Sequence, residues 1–336
     1  MSTIEIIVFC LCIFIFSLIF TRYLIFFAKS KNIVDIPNDR SSHAVCTPRG
    51  GGLSISLSII MCLLFIILSS DKVPAYLLSF TICTTLILII GVIDDLKGLS
   101  IITRAFLYLI ISFVFILSTT GIGSFSHHNF VIFILVTIVL TWIINLYNFM
   151  DGADAISGIQ AVICALPAGI IFSLSDEHEI ALLCYTLVAS SIGFLVWNWP
   201  PAKIFMGDVG SCVIGFVFGC LMIITYLQNH FSILIWLILL SFFIVDSTLT
   251  LIARIINGEK WYQAHRTHSY QRVLQMGHSH KKLATVFIFF AVLIQWPATY
   301  IAYKIPEMQI FITTVIYIFL SYVWYVIQRK YKQTIL

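Results

Sequence analysis

Residues 129–147 have the sequence NFVIFILVTIVLTWIINLY, an apolar run with no charged side chain. A helix needs roughly 20 mostly apolar residues to cross the hydrocarbon core of a bilayer, so this run is long enough for one crossing. It is continuously apolar rather than alternating, which argues against a strand of a membrane β-barrel. Because the bilayer core offers the backbone no water, the run predicts a transmembrane helix.

The same pattern recurs along the whole chain. Hydrophobic residues make up 60% of the 336 residues and charged residues only 10%, whereas a soluble protein has about 25% charged residues. The sequence therefore predicts an all-α membrane protein, with one domain over residues 1–336 and a polytopic bundle of about 11 transmembrane helices. The predicted spans are about 5–27, 52–70, 76–93, 105–120, 129–147, 157–174, 179–197, 210–228, 231–252, 284–303 and 308–328.

The connections between these spans form two sets that alternate along the chain. One set is long and basic and holds sixteen of the nineteen Lys and Arg residues, and the other set is short. Because Lys and Arg accumulate in cytoplasmic loops, we expect the basic set and the C-terminus in the cytoplasm and the N-terminus outside. The basic set consists of loops 28–51, 94–104, 148–156, 198–209 and 253–283 and the tail from Arg329.

All five basic loops contain patterned polar residues, so we expect them to converge on one active-site cleft at the cytoplasmic face. In the first loop, Arg40, His43 and Arg49 precede or adjoin the glycines at 50–52. Glycines at a helix entry let backbone N–H groups approach an anion, and the three basic side chains add positive charge. A flexible basic loop that lies on anionic lipid headgroups is the alternative.

Aspartates mark the second and fourth loops. Asp94 and Asp95 end a helix, where negative charge opposes the helix dipole, so a divalent cation with a phosphate is the expected partner. A solvated turn is the alternative. Asp208 opens a helix soon after Pro200 and Pro201. It suits a bound metal–phosphate there, and a simple N-cap is the alternative.

The third loop continues one face of an apolar helix. Asn145 and Asn148 lie three residues apart, Asp151 continues their face, and Asp154 follows after three more residues. Polar residues at membrane depth are costly without partners, so this row indicates a binding function rather than packing.

The fifth loop contains His265, Arg266 and His268. No Cys or Glu accompanies these histidines at the spacing of zinc ligands, which favours phosphate binding over zinc. Asp246 stands apart because it lies inside an apolar span. An intramembrane carboxylate is a functional candidate, and a structural hydrogen bond to a neighbouring helix is an equal alternative.

Five motifs together resemble those of the bacterial polyprenyl-phosphate N-acetylhexosamine-1-phosphate transferases, enzymes of the glycosyltransferase family 4 type. In chain order they are RSSH…TPRGGG, IDD, NFMDGADAISG, FMGDVGS and AHRTHSYQ, over about residues 34–273. The resemblance implies transfer of a sugar 1-phosphate from a UDP-N-acetylhexosamine to undecaprenyl phosphate, with UMP released. It also implies Mg²⁺, with Mn²⁺ as a substitute, and the bacterial inner membrane, where such enzymes initiate O-antigen and related glycans.

The resemblance also assigns residues. Asp94, Asp95 and Asp208 are the candidate catalytic residues and metal ligands, and whether one of the first two acts as a base is open. Phe205 is a candidate for stacking on uracil. The candidate substrate-binding residues are Arg40, His43, Arg49, Asn145, Asn148, Asp151, Asp154, Phe205, His265, Arg266 and His268.

Two departures from the family pattern concern the sugar and one turn. The fifth loop lacks a triple histidine and resembles the O-antigen branch that handles 6-deoxy sugars such as FucNAc or QuiNAc, with GlcNAc also retained. Ala155 follows Asp154 where glycine is more usual, so we expect a slightly different loop.

The expected partners are the lipid bilayer and the two substrates, not nucleic acid, and a homodimer is open. The alternative function is a membrane transporter, which only Asp246 supports.

Overall fold

The computed structural model describes residues 2–35, 45–120, 127–228, 231–260, 262–263 and 265–335, which are almost entirely helical. Two short strands, β1 (Val34–Asp35) and β2 (Thr47–Pro48), pair antiparallel within the first loop. The prediction of an all-α polytopic membrane protein is confirmed. The predicted single domain remains a prediction.

The fourteen α-helices described by the structure follow one another through short connections. A π-helical turn (Ala291–Gln295) joins α12 to α13, and a 3₁₀ turn (Pro306–Met308) precedes α14. The helices are α1 (Thr3–Ser30), α2 (Leu53–Ser69), α3 (Ala75–Lys97), α4 (Ile101–Thr120), α5 (His127–Phe149), α6 (Ile156–Leu174), α7 (His178–Asn198), α8 (Asp208–Leu227), α9 (Ile233–Leu239), α10 (Ser241–Ile256), α11 (Ser269–Gln275), α12 (His280–Phe290), α13 (Trp296–Lys304) and α14 (Gln309–Ile335).

Each of the eleven predicted spans overlaps helix in the structure. Among the described residues, nine helical segments are long and apolar enough to cross a membrane, or ten if the bent pair α9 and α10 counts as one. The remaining predicted span corresponds to α2, which has 17 residues. The number eleven therefore stays a prediction, although the polytopic character does not depend on it.

Helix α8 occupies the centre of the bundle. Of its most apolar stretch 89% is buried, against 11% in α1 and 17% in α14. It packs against α2, α3 and α5. A helix that is apolar all round is expected in such a position. Because α8 begins at Asp208, the first turn of the central helix lies where α3 ends and α2 begins.

The predicted span 231–252 is broken rather than straight. Helices α9 and α10 meet at Leu240 at an angle of 80°. The Gln295 amide nitrogen donates to the carbonyls of Ile238 (3.1 Å) and Leu239 (3.3 Å), and the Gln160 amide also donates to Leu239 (3.0 Å). Carbonyl groups left without helical partners are thereby satisfied inside the protein, which is the condition for irregular backbone at membrane depth.

Candidate active site

The site begins with two carboxylates that share one cation. Asp94 lies in the last turn of α3, Asp208 is the first residue of α8, and Arg104 lies in the first turn of α4. A single nitrogen of Arg104, Nη1, is 2.6 Å from Asp94 Oδ2 and 2.5 Å from Asp208 Oδ2. The other Asp94 oxygen accepts a hydrogen bond from the Leu99 amide. Three helices that are separate in sequence thus meet in one ionic cluster.

Asp95 has a different position from its neighbour. Its Oδ1 accepts from the Asp208 amide (3.2 Å) and its Oδ2 from the Val209 amide (3.2 Å). Asp95 therefore caps α8 from outside that helix and places negative charge at the positive end of its dipole. Arg49 donates to the Asp95 carbonyl. The negative charges of Asp94 and Asp95 at the C-terminal end of α3 are compensated by Arg104 and by the N-terminal amides of α8. The alternative of a solvated turn is therefore wrong.

The simple N-cap alternative for Asp208 is also wrong. The N-cap position of α8 is Gly207, at φ +77°, with no side-chain cap, and Asp95 supplies the capping oxygens instead. The Asp208 carboxylate is therefore directed to Arg104. Side chains of Asp94 and Asp208 are 9% and 22% exposed, so the pair remains reachable from water.

The glycine-rich loop packs against the approach to α8. The Gly51 amide donates to the Phe205 carbonyl (2.9 Å) and the Gly52 amide to the Met206 carbonyl (2.9 Å). A Cβ added to Gly52 would collide with the Gly210 backbone. The expectation that these amides face an anion is therefore wrong for Gly51 and Gly52, because both are used in backbone pairing. The glycines allow α2 and α8 to approach closely.

The remaining basic residues of that loop are only partly placed. Arg40 and His43 lie outside the described residues. Phe205 is half-buried, and its amide donates to the Pro48 carbonyl (2.8 Å). Its proposed stacking on uracil stays a prediction.

The third loop reaches the cluster through Asn148 and Asp151. The Asn148 amide nitrogen lies 3.2 Å from Ser211 Oγ and 3.3 Å from Cys212 Sγ, both on α8. Burial raises the pKa of Asp151 well above its ordinary value, and the nearby carboxylates of Asp208 and Asp95 raise it further. Asp151 therefore lies near the ionic cluster in a setting that disfavours its charge.

Two other predicted residues of this region are engaged in holding the fold. Asn145 donates to the Thr141 carbonyl one turn earlier (2.8 Å). The Asp154 carboxylate accepts from the Ala202 amide (3.1 Å) and lies 3.4 Å from His280 Nδ1. These contacts connect the third loop to the fourth loop and to α12. The role of both residues in substrate binding stays a prediction.

Ala155 adopts a backbone conformation that favours glycine, and the expectation of a slightly different loop stays a prediction. Its φ is +67°, in the left-handed region, and its amide donates to Asn198 Oδ1 (2.9 Å). A left-handed conformation costs a residue with a Cβ about 1–2 kcal/mol. The glycine usual in the family would avoid that cost, so the sequence departure coincides with a strained turn.

The intramembrane Asp246 holds the fifth loop. Its Oδ1 accepts from the Ser269 amide (2.8 Å) and its Oδ2 from the Tyr270 amide (3.2 Å), the first residues of α11. His268 Nδ1 lies 3.8 Å from the same carboxylate. The structural hydrogen bond to a neighbouring helix is thus the correct alternative for Asp246. The transporter interpretation, which rested on this residue, is not favoured.

The histidines of the fifth loop lie together. The rings of His265 and His268 are 4.9 Å apart, and His265 Nδ1 is 2.9 Å from Thr267 Oγ1. Burial lowers the pKa of His265 to about 3, and the nearby Arg254 guanidinium contributes to the lowering. His265 is therefore neutral near pH 7. Arg266, which lies between these two residues in the sequence, is half-buried.

Tyr270 connects this loop with the third one. Its hydroxyl donates to the Phe149 carbonyl (2.9 Å), and a Cβ added to Gly152 would collide with that hydroxyl. The loops at 148–156 and 265–271 are therefore in direct contact. Sequence reasoning missed Tyr270 as a positioning residue, and it missed Arg104, whose only signal was a charged side chain near the start of an apolar helix.

Comparisons with known proteins identify a family and several relatives. The model of glycosyl transferase family 4 matches residues 77–226. A decaprenyl-phosphate N-acetylglucosaminephosphotransferase of Mycolicibacterium smegmatis is 30% identical over 291 residues, 74% of this chain and 70% of the relative. A probable undecaprenyl-phosphate N-acetylglucosaminyl 1-phosphate transferase of Bacillus subtilis is 26% identical over 299 residues, 86% and 82% of the two chains.

A third relative extends over nearly the whole chain. It is an undecaprenyl-phosphate alpha-N-acetylglucosaminyl 1-phosphate transferase of Salmonella typhi, 25% identical over 339 residues, 94% of this chain and 90% of the relative. The helical membrane bundle and these matches define an integral-membrane phosphoglycosyltransferase. The chain belongs to the polyprenyl-phosphate N-acetylhexosamine-1-phosphate transferases of glycosyl transferase family 4.

Proposed function

We propose that this enzyme transfers a sugar 1-phosphate from a UDP-N-acetylhexosamine to undecaprenyl phosphate at the cytoplasmic face of a bacterial inner membrane. The observation that carries the proposal is the convergence of Asp94, Asp208 and Arg104 at the start of the central helix. The names of the relatives support a polyprenyl phosphate acceptor and an N-acetylglucosamine donor. The product would initiate O-antigen or a related glycan.

In this reaction an oxygen of the lipid phosphate attacks the phosphorus that carries the sugar. A bond forms between them, the bond from that phosphorus to the bridging oxygen breaks, and UMP leaves. Phosphoryl transfer depends mainly on positioning and on neutralising charge. A phosphate monoester has a second pKa of about 6, so the acceptor is already largely ionised at neutral pH and a general base is not required.

The carboxylate pair fits a divalent cation. Magnesium in phosphoryl-transfer sites is bound through one or two carboxylates, and the substrate phosphates and water supply other ligands. Asp94 and Asp208 would hold the ion, whereas both oxygens of Asp95 face backbone amides of α8. Within the described residues no group of three or more His, Cys, Asp or Glu side chains is arranged for a metal. The ion, Mg²⁺ or Mn²⁺, would neutralise charge on the diphosphate.

Other residues would bind the rest of the donor. Asn148 and Asp151 lie beside the cluster and would contact the uridine side, as the resemblance implies. Neutral His265 can donate a hydrogen bond to a phosphate or sugar oxygen, or accept one from a sugar hydroxyl, without adding charge. Arg49, fixed at the Asp95 carbonyl, would add positive potential.

The test is release of UMP by purified protein supplied with undecaprenyl phosphate and Mg²⁺ or Mn²⁺. The donors compared are UDP-GlcNAc, UDP-FucNAc and UDP-QuiNAc. We expect release that requires the lipid, and a loss of about 10²-fold or more in Asp208→Asn and in Asp94→Asn, as when one charge-stabilising group is removed.

The matched control is Asp176→Asn, which makes the same change on a side chain that is 96% exposed in the outer connection between α6 and α7. This variant should keep wild-type activity. Lipid-independent UMP release, or unchanged activity in a folded Asp208→Asn variant, would overturn the proposal.

A further inference from the structure

Arg104 lies between the two carboxylates in an unusual way. An arginine usually binds a carboxylate with two nitrogens in a fork. Here both short contacts end on one nitrogen, Nη1, so the guanidinium bridges Asp94 and Asp208 as a point cation would. A metal ion that bound Oδ2 of both residues would need the space that this nitrogen occupies.

We propose that Arg104 is an exchangeable counter-ion, which holds the carboxylate pair together until a divalent cation displaces it. The proposal deepens the proposed function and rests on its metal assignment. Arg104 and the ion would therefore compete for the same two oxygens, and each would bind more weakly in the presence of the other.

The surroundings allow the arginine to leave. Its side chain is 24% exposed, and it projects from the first turn of α4, beyond the turn at Gly98 with φ +70°. Asp94 is held by the Leu99 amide, and Asp208 is fixed at the N-terminus of α8. The Asp94 carboxylate is thus held by a backbone amide and Asp208 by its place in the first turn of a helix, whereas the guanidinium is at the end of a long side chain.

The exchange would make the net charge of the cluster more positive. When both carboxylates are ionised and Arg104 is in place, the cluster carries one net negative charge. A divalent ion neutralises both carboxylates and releases the positive charge of Arg104 beside them. The cluster then carries a net positive charge, which suits an arriving diphosphate.

The experiment measures binding of Mn²⁺ alone by electron paramagnetic resonance, in detergent, without lipid or nucleotide. Arg104→Gln removes the competing cation, so we expect Mn²⁺ to bind about tenfold tighter or more than to wild type, since a hydrogen bond to a charged group contributes at least an order of magnitude. Arg104→Lys should fall between them. Without divalent ions Arg104→Gln should unfold at a lower temperature, and Mn²⁺ should raise that temperature more than in wild type.

Two further variants make the result specific. Arg254→Gln removes another ion-paired arginine, which contacts Glu259 (2.8 Å), and should leave Mn²⁺ affinity unchanged. Asp208→Asn should abolish the binding. Equal or weaker Mn²⁺ affinity in folded Arg104→Gln and Arg104→Lys would overturn the exchange, as would tight binding in Asp208→Asn. Because no UMP is measured, these outcomes are distinct from failure of the transferase assay.

Discussion

Asp151 is a residue whose surroundings disfavour its ionised form. Burial and the carboxylates of Asp208 and Asp95 raise its pKa well above the ordinary aspartate value. The folded protein therefore favours the protonated form of the Asp151 carboxyl. The contribution of this group to the free energy of unfolding is largest at low pH. It is lost as the pH rises through the raised pKa. Near neutral pH the residue destabilises the fold, as functional residues often do.

We expect Asp151→Asn to be more stable than wild type at pH 8 and much less active. The amide keeps the size of the side chain but cannot acquire the buried charge. The gain in melting temperature in detergent should shrink as the pH is lowered from 8 towards 5, and Asp176→Asn should show no such trend. A variant that is less stable than wild type at pH 8 would contradict this view of Asp151.

At the scale of single residues, the carboxylates were predictable and their counter-ion was not. In a chain with 10% charged residues, aspartates grouped in basic loops already indicated a site. The different contacts of Asp94 and Asp95 could not be predicted from the sequence. Adjacent residues at a helix end point in different directions, and the packing of α8 decides which of the two caps α8. Arg104 resembled one more positive charge at a membrane boundary.

The element that departs most from its prediction is the span formed by α9 and α10. The run 231–252 is mostly apolar and contains no proline or glycine, so no helix-breaking residue indicated an 80° bend. The signal lay elsewhere, in Gln160 and Gln295, two amides inside other apolar spans. Both are fully buried and donate to the carbonyls at the break. A buried Gln side chain in an apolar helix can therefore indicate that a neighbouring helix is broken and that its free carbonyl groups accept from that side chain.

We expect Gln295→Leu to destabilise the protein by about 1–3 kcal/mol, the cost of leaving a buried polar group without its partner. The Ile238 carbonyl would lose the amide that it accepts from, whereas Leu239 would keep Gln160. Thermal unfolding in detergent measures the loss. Leu293→Ala, on a side chain of the same segment that is 67% exposed, is the control and should have a smaller effect. Equal stability of Gln295→Leu and wild type would show that the bend does not need this amide.

For the whole molecule, the distribution of positive charge predicts the orientation. Sixteen of nineteen Lys and Arg residues lie in one set of connections, which includes every loop that forms the site. The helices themselves follow from apolar runs because backbone hydrogen bonding in lipid permits little else. The side of the membrane on which the loops lie is set when the helices insert into the bilayer, and the Lys and Arg residues of the loops predict it.

Cysteine labelling in intact cells tests the orientation. In a cysteine-free background, a single cysteine restored at Cys46 should react with a membrane-impermeant maleimide only after the cells are permeabilised. A cysteine introduced by Asp176→Cys, in the connection between α6 and α7 that is predicted to lie outside, should react in intact cells. The reverse pattern would invert the predicted topology and place the site outside.

The pairing of Gly51 and Gly52 with Phe205 and Met206 also sets an order of assembly during translation. About 150 residues separate the two halves of this contact in the chain. The ribosome delivers α1 to α7 to the membrane before the partner of the glycine-rich loop exists. Asp95 then has no helix end to cap, and Arg104 has only one of its two carboxylates. The ionic cluster of Asp94, Arg104 and Asp208 therefore forms only after α8 inserts, so a chain arrested before that point lacks it.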